Sequence, residues 1–394
     1  MQIARRTMLL GLATSLSVGG SRLALATAPT EKRLVVIILR GALDGMAAVV
    51  PYGDANLGNL RGEIVPPAPG QQDGLLELGG FFGLHSALAG IHAMYQANEA
   101  LVVHAVAGCY RVRSHFEAQD CLESGADHRM TSGWLNRVVA ALPTGLDTRP
   151  EGDALAVGVS VPLLLRGSTP VANWAPHGFP PPSTELYASI AALNRSDPIL
   201  GPAVAEGLRA RGFSDRVMTG EEEPQQKYAF RSLARSAGAM LATPDGPRIA
   251  ALEIGGWDTH SAQANRLVGP LKQLDAGLVA LKAALGPAWA QTAVLVMTEF
   301  GRTARVNGTK GTDHGTATVA FVVGGAIAGG RVKTTWPGLQ EGQLFENRDL
   351  APTTDLRAVA KGMLGAHLGL DEAALDRVFP GSASVGGMPG LIRA

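Results

Sequence analysis

Arg248-Ile249-Ala250-Ala251-Leu252-Glu253-Ile254-Gly255-Gly256-Trp257-Asp258-Thr259-His260 is the stretch on which the fold turns. Its first part, Arg248 to Ile254, is a largely apolar run of strand length that stops at two glycines, and it reads as a buried strand. A long apolar-periodic stretch follows and predicts a helix over about Ala262 to Leu285. Strand, glycine-rich turn with polar groups, then helix is the repeating unit of a parallel α/β sheet.

The same grammar recurs on both sides. Leu34 to Leu39 is a continuous run rich in β-branched residues that ends in Arg40-Gly41-Ala42-Leu43-Asp44-Gly45. A helix across Ala87 to Asn98 precedes a second buried strand, Leu101 to Val106. Ser114 then stands in the N-cap position of a helix over His115 to Glu123. Ala293 to Thr298 ends in Glu299-Phe300-Gly301-Arg302, and Thr318 to Val323 is preceded by Gly311-Thr312-Asp313-His314-Gly315. The pattern predicts an α/β fold with a doubly wound, mostly parallel sheet and helices on both faces. In such sheets ligands gather at the carboxyl ends of the strands, where the polar clusters fall here. The stretch from about 142 to 245 differs. It is rich in Pro and Gly at first and charged later, and it reads as an insertion or cap.

The N-terminus, Met1-Gln2-Ile3-Ala4-Arg5-Arg6-Thr7, places paired arginines before an apolar run, with a small-residue exit at Ala24-Leu25-Ala26. This is the layout of a twin-arginine export signal over 1–26, which implies handling by the twin-arginine translocase and a periplasmic or secreted destination. Residues 27–394 then form one mature domain with a substantial core. Lys plus Arg balance Asp plus Glu at 34 each, so no electrostatic argument favours nucleic acid. No later apolar run is long enough to span a bilayer. Cys109 and Cys121 lack paired C-x-x-C spacing and read as free thiols.

The chemistry concentrates in few residues. In Asp258-Thr259-His260 a carboxylate and an imidazole two apart on an extended loop point the same way and can share a cation. Asp313-His314 is a second such pair, and Gly315 permits close approach. Hydrogen-bonded loop caps are the plainer account of both pairs. Ser114, at a helix N-terminus between Arg113 and His115, suits a nucleophile or an anion grip, but a simple N-cap is the plainer account. Glu299 suits a metal and Arg302 an anion, or the two form an ion pair that shapes the loop. His85 precedes a helix and reads as its cap, and His92, His104, His128, His177 and His367 show no partner pattern.

Leu39 to Gly45, Arg113 to Asp120, Gly255 to His260, Thr298 to Thr303 and Gly311 to Thr316 occur in that order. Together they resemble the bacterial family of domain of unknown function 1501, which is similar in plan to the alkaline phosphatase and sulfatase superfamily. The resemblance implies metal ligands at Asp44, Asp258, His260 and His314 and a nucleophile at Ser114. Where that plan has Asp-His at a strand end, this chain has Glu299-Phe300, so a site of Asp44, Ser114 and Glu299 is short of nitrogen donors. Such a site suits an oxygen-preferring cation or stands empty. The sulfatase signature C/S-x-P-x-R is absent around Ser114.

The expectation is an exported hydrolase of phosphate or sulfate esters. It would act on a small anionic ester with a divalent metal (Zn, Ca, Mg or Mn) held by Asp44, Asp258, His260, Glu299, Asp313 and His314. Ser114, His115 and Arg302 are its catalytic candidates. The alternative is a non-catalytic exported protein that keeps the fold and binds a ligand or a partner.

Overall fold

Every residue of the strand Arg33–Leu39 (β1) is buried, which places it at the centre of a sheet covered on both sides. The computed structural model describes residues 31–142, 154–176 and 229–393, with Ser189, 192–194 and Asp197 between the last two segments. The expected export signal at 1–26 lies outside the described residues.

β1 sits between Ile249–Ile254 (β8) and Thr292–Thr298 (β9) and is parallel to both. Beyond β8 come Ala154–Val157 (β6) and Ala172–Trp174 (β7), again parallel. On the other side Thr318–Val323 (β10) runs antiparallel to β9 and to Ala100–Ala107 (β5). Arg331–Lys333 (β11) and Thr354–Asp355 (β12) close the edge parallel to β5. The order β11-β5-β10-β9-β1-β8-β6-β7 is thus mostly parallel, with β10 reversed. No helix lies between β9 and β10, and a parallel neighbour would need a crossover connection, usually a helix. Val49–Val50 (β2), Leu76–Glu77 (β3) and Gly83–Leu84 (β4) form a small separate sheet.

Alternation along the strands divides the core in two. Val35, Ile37 and Leu39 face one layer with Ala89–Gln96 (α1), Phe230–Ala242 (α4) and Val268–Leu285 (α5). Leu34, Val36 and Ile38 face the other, with Trp134–Ala141 (α3), Leu356–Met363 (α6) and Glu372–Val378 (α7). Each fully buried aliphatic side chain stabilises the fold by about 1.5–3 kcal/mol, so Ile37→Ala would cost about 2–5 kcal/mol.

The segment expected as a cap at about 142–245 is divided. β6, β7 and α4 belong to the core, whereas 143–153 and most of 177–228 lie outside the described residues. The short runs Ala154–Val157 and Ala172–Trp174 join the sheet because β8 offers a parallel partner for β6. Cys109 and Cys121 are free thiols. Among the described residues no helix is long and apolar enough to cross a membrane.

Candidate metal centre

The reversal of β10 is what assembles the site. Its amino end lies at the same sheet edge as the carboxyl ends of β1, β8 and β9, so the 311–317 loop meets the loops after those strands. β5 leads to the same edge and on into helix His115–Ser124 (α2).

After β8 the extended loop alternates as its sequence suggests. Trp257 and Thr259 turn inward and are fully buried. The indole nitrogen of Trp257 donates to the Ile254 carbonyl, and the Thr259 hydroxyl donates to Gln263 Oε1. Asp258 and His260 therefore point outward together. Gly41 and Gly315 are glycines by necessity. A Cβ on Gly41 would lie 2.8 Å from the Asp258 nitrogen, and one on Gly315 would lie 2.3 Å from the Arg302 carbonyl carbon.

Four side chains converge. His260 Nε2 is 3.0 Å from both Asp258 Oδ1 and His314 Nε2. His314 Nε2 is 3.4 Å and His115 Nε2 is 3.6 Å from the same carboxylate oxygen. Each imidazole is held from behind through Nδ1: His115 by Glu299 Oε1 at 2.8 Å, His260 by Asp313 Oδ1 at 3.1 Å, His314 by the Arg113 carbonyl at 3.0 Å. A carbonyl or a carboxylate accepts, so each Nδ1 carries the proton and each Nε2 presents a lone pair. Carboxylate and carbonyl backing of this kind is the usual second layer of a metal site.

Lone pairs and a carboxylate crowded to these distances repel unless a cation lies among them. A proton on His260 satisfies one contact. It leaves His115 Nε2, a buried nitrogen with no hydrogen-bond partner among the described residues, unmet. One ligand atom each from His115, Asp258 and His314 lie within 4.8 Å of one another, a spread that one ion with ligand bonds of about 2.0–2.6 Å can bridge, and His260 Nε2 adjoins two of them at 3.0 Å.

The electrostatics follow the contacts. The bond to Glu299, opposed by burial, raises the His115 pKa. Burial lowers that of His314. Burial pushes the Asp258 carboxyl up, but Arg302, His260 and His115 outweigh it and hold the group below its ordinary value. Burial likewise opposes ionisation of Glu299, and its bonds to His115, Gln119, its own backbone and Thr298 win, so its pKa is lowered.

The remaining sequence candidates sit elsewhere in the network. Asp313 and Glu299 stand behind the imidazoles, and Glu299 Oε1 also accepts from the Gly41 nitrogen and Gln119. Asp44 is buried against the Arg61 guanidinium and Gln263 Nε2, and it caps the helix Gly45–Ala48. Arg302 is fully buried, with every nitrogen committed: to the carbonyls of Ala42, Thr312, Gly41 and Trp257 and to Asp258 Oδ1. Ser114 is the N-cap of α2, but its side chain makes no capping bond. Phe300 packs its ring 5.0 Å from His115 and 5.1 Å from His314, forming the apolar wall of the centre. Sequence reasoning missed Gln119 and the Arg113 carbonyl, which carry no local signal.

The fold and site together define an α/β protein with a three-histidine, one-aspartate cluster at the carboxyl edge of its sheet. Residues 107–379 match the family described as "Protein of unknown function (DUF1501)", and the chain belongs to that family. No curated protein matches it. Among solved structures it is similar to a protein in the alkaline phosphatase superfamily from Vibrio parahaemolyticus. That likeness is at 13% identity and TM-score 0.33 and covers 84% of this chain and 72% of that one. A putative sulfatase from Bacteroides thetaiotaomicron matches at 13% and 0.35, over 76% and 65% of the two chains. A phosphonate monoester hydrolase of Agrobacterium radiobacter matches at 11% and 0.34, over 92% and 79%.

Proposed function

We propose that the chain is an exported hydrolase of phosphate or sulfate esters built on a single divalent-metal centre of His115, Asp258, His260 and His314. Residues 1–26 serve as its twin-arginine signal, and 27–394 form the mature periplasmic or secreted domain. The observation that carries this reading is the convergence of three backed imidazole Nε2 atoms on Asp258 Oδ1, with that of His115 buried and unpartnered. A nitrogen-rich set of this kind suits Zn²⁺ better than Ca²⁺ or Mg²⁺. Asp44 and Glu299 are taken up by protein donors, so the centre holds one ion. When bound, that ion supplies Lewis acidity at a phosphoryl or sulfuryl oxygen.

Ser114 is the nucleophile in this reading. Its hydroxyl makes no capping bond, and it lies between His115 and the residue whose carbonyl holds His314. With the protein zinc-loaded, Ser114→Ala is expected to abolish cleavage of an aryl phosphate, a phosphodiester or an aryl sulfate while leaving zinc content unchanged. One observation favours a second reading: protein side chains crowd Asp258 Oδ1 from several sides, as donors do in closed structural sites. A wild-type chain that binds one zinc and cleaves none of the three esters would make it a ligand- or partner-binding protein with a structural metal.

A further inference from the structure

We propose that Asp349 is the positioning residue that sets His115 and His314 against each other. Its carboxylate is fully buried and lies outside the cluster of donors. Oδ2 accepts from Arg113 Nε at 2.9 Å and from Thr316 Oγ1 at 2.9 Å, and Arg113 Nη2 stands 2.8 Å away. One oxygen thus ties the segment before α2 to the segment before β10. The first leads directly into His115, at the head of α2, and the second carries His314, and the two rings stand 4.3 Å apart. Arg113 also offers its carbonyl to His314 Nδ1, so the residue that Asp349 grips is the one that orients the imidazole.

The anchor is itself fixed. The backbone of Asp349 pairs both ways with Phe345, and Arg348 Nη2 donates to the His314 carbonyl. The other carboxylate oxygen has no hydrogen-bond partner among the described residues; Arg348 Nη1 is 3.5 Å away. A buried acceptor left unpaired is costly, and a fold that only needed to fill this space would do better with an apolar side chain. The cost is explained if the charge is needed to hold the Arg113 guanidinium, because a metal-facing imidazole must be oriented within about 10–20°.

The clamp stands on geometry alone; only its effect on metal affinity rests on the metal reading. The test uses the full chain and the variants Asp349→Asn and Thr316→Val. Zinc affinity is measured by chelator competition, and the His314 Nδ1–H signal by ¹⁵N–¹H correlation on metal-free protein. Asp349→Asn is expected to weaken zinc binding about tenfold, as loss of outer-layer support does, and to lose the His314 Nδ1–H signal to solvent exchange. Thr316→Val shifts both in the same direction by less. Zinc affinity within twofold of wild type together with a retained signal overturns the clamp. If Asp349→Asn does not fold, Thr316→Val decides by the same two readouts. A wild-type chain that takes up no zinc sinks the metal reading, and the imidazole signal then decides the clamp alone.

Discussion

His115→Ala is the sharpest probe of the centre, because the structure separates its effect on metal from its effect on folding. The imidazole supplies one of four converging donors. Structural zinc sites bind with about 10–16 kcal/mol, so an equal share per donor is about 3 kcal/mol, a loss of about 10²-fold in affinity. The buried neighbour that loses a partner is Glu299, whose Oε1 keeps the Gly41 nitrogen and Gln119 and whose Oε2 keeps the Thr298 hydroxyl. Metal-free stability therefore falls only by about the worth of one charge-assisted bond, about 1.5–3 kcal/mol. At a zinc concentration about 10³ times the wild-type dissociation constant, the ion stabilises the native state by about 4 kcal/mol; for the variant that falls to about 1.4 kcal/mol. The assay is thermal unfolding with zinc and with chelator, beside a zinc titration. The zinc-dependent rise in melting temperature is expected to shrink by more than half. A His115→Ala protein that binds zinc within twofold of wild type would refute the assignment of His115 as a donor.

Three further outcomes are expected. His104 is buried, with Nδ1 accepting from the Ala105 nitrogen and Nε2 donating to the Val49 carbonyl, and burial depresses its pKa from 6.5 to about 4. Between those values the unfolded chain binds the proton and the native chain does not, so this group's contribution is intact above pH 6.5 and is lost as pH falls towards 4. The loss is about 3 kcal/mol, and denaturant titrations of wild type and His104→Asn from pH 7.5 to 4.5 should show a flatter dependence in the variant. Gly315→Ala forces a Cβ to within 2.3 Å of the Arg302 backbone and is expected to cost about 1–3 kcal/mol and to weaken zinc binding through His314; unchanged melting and affinity would contradict the packing argument. Arg5→Lys with Arg6→Lys is expected to leave precursor in the cytoplasm, and normal periplasmic accumulation would exclude the twin-arginine route.

Much of this was legible in the sequence for physical reasons. Strands buried on both faces leave no room for polar alternation, so β1, β5, β8, β9 and β10 stand out as apolar runs within a residue or so of their ends. β6 and β7 do not, because runs of four and three residues look the same in a loop as in a sheet. Their pairing is decided by β8, far along the chain. Asp258 and His260 were readable because extended backbone fixes the side-chain direction at every second residue. His115 was harder. A residue in the first turn of a helix faces the site or solvent according to how the helix docks, and that depends on Glu299 and Gln119 meeting across the sheet edge.

Asp44 and Arg302 show where sequence reading runs out. An aspartate after a buried strand reads as a metal ligand whether its partner is an ion or a guanidinium. What separates the two cases is Arg61, which reaches Asp44 from a neighbouring short helix whose docking has no local signature. Arg302 reads as an anion grip because it follows a strand in a glycine-containing loop. In the fold it binds four carbonyls from three different loops and is buried beneath them, away from any substrate. Its remaining contact, to Asp258 Oδ1, links this loop staple to the centre: the guanidinium that fixes the loops also fixes the carboxylate towards which the three imidazoles point. The geometry of the cluster is therefore a property of the loop packing as a whole, and no one motif contains it.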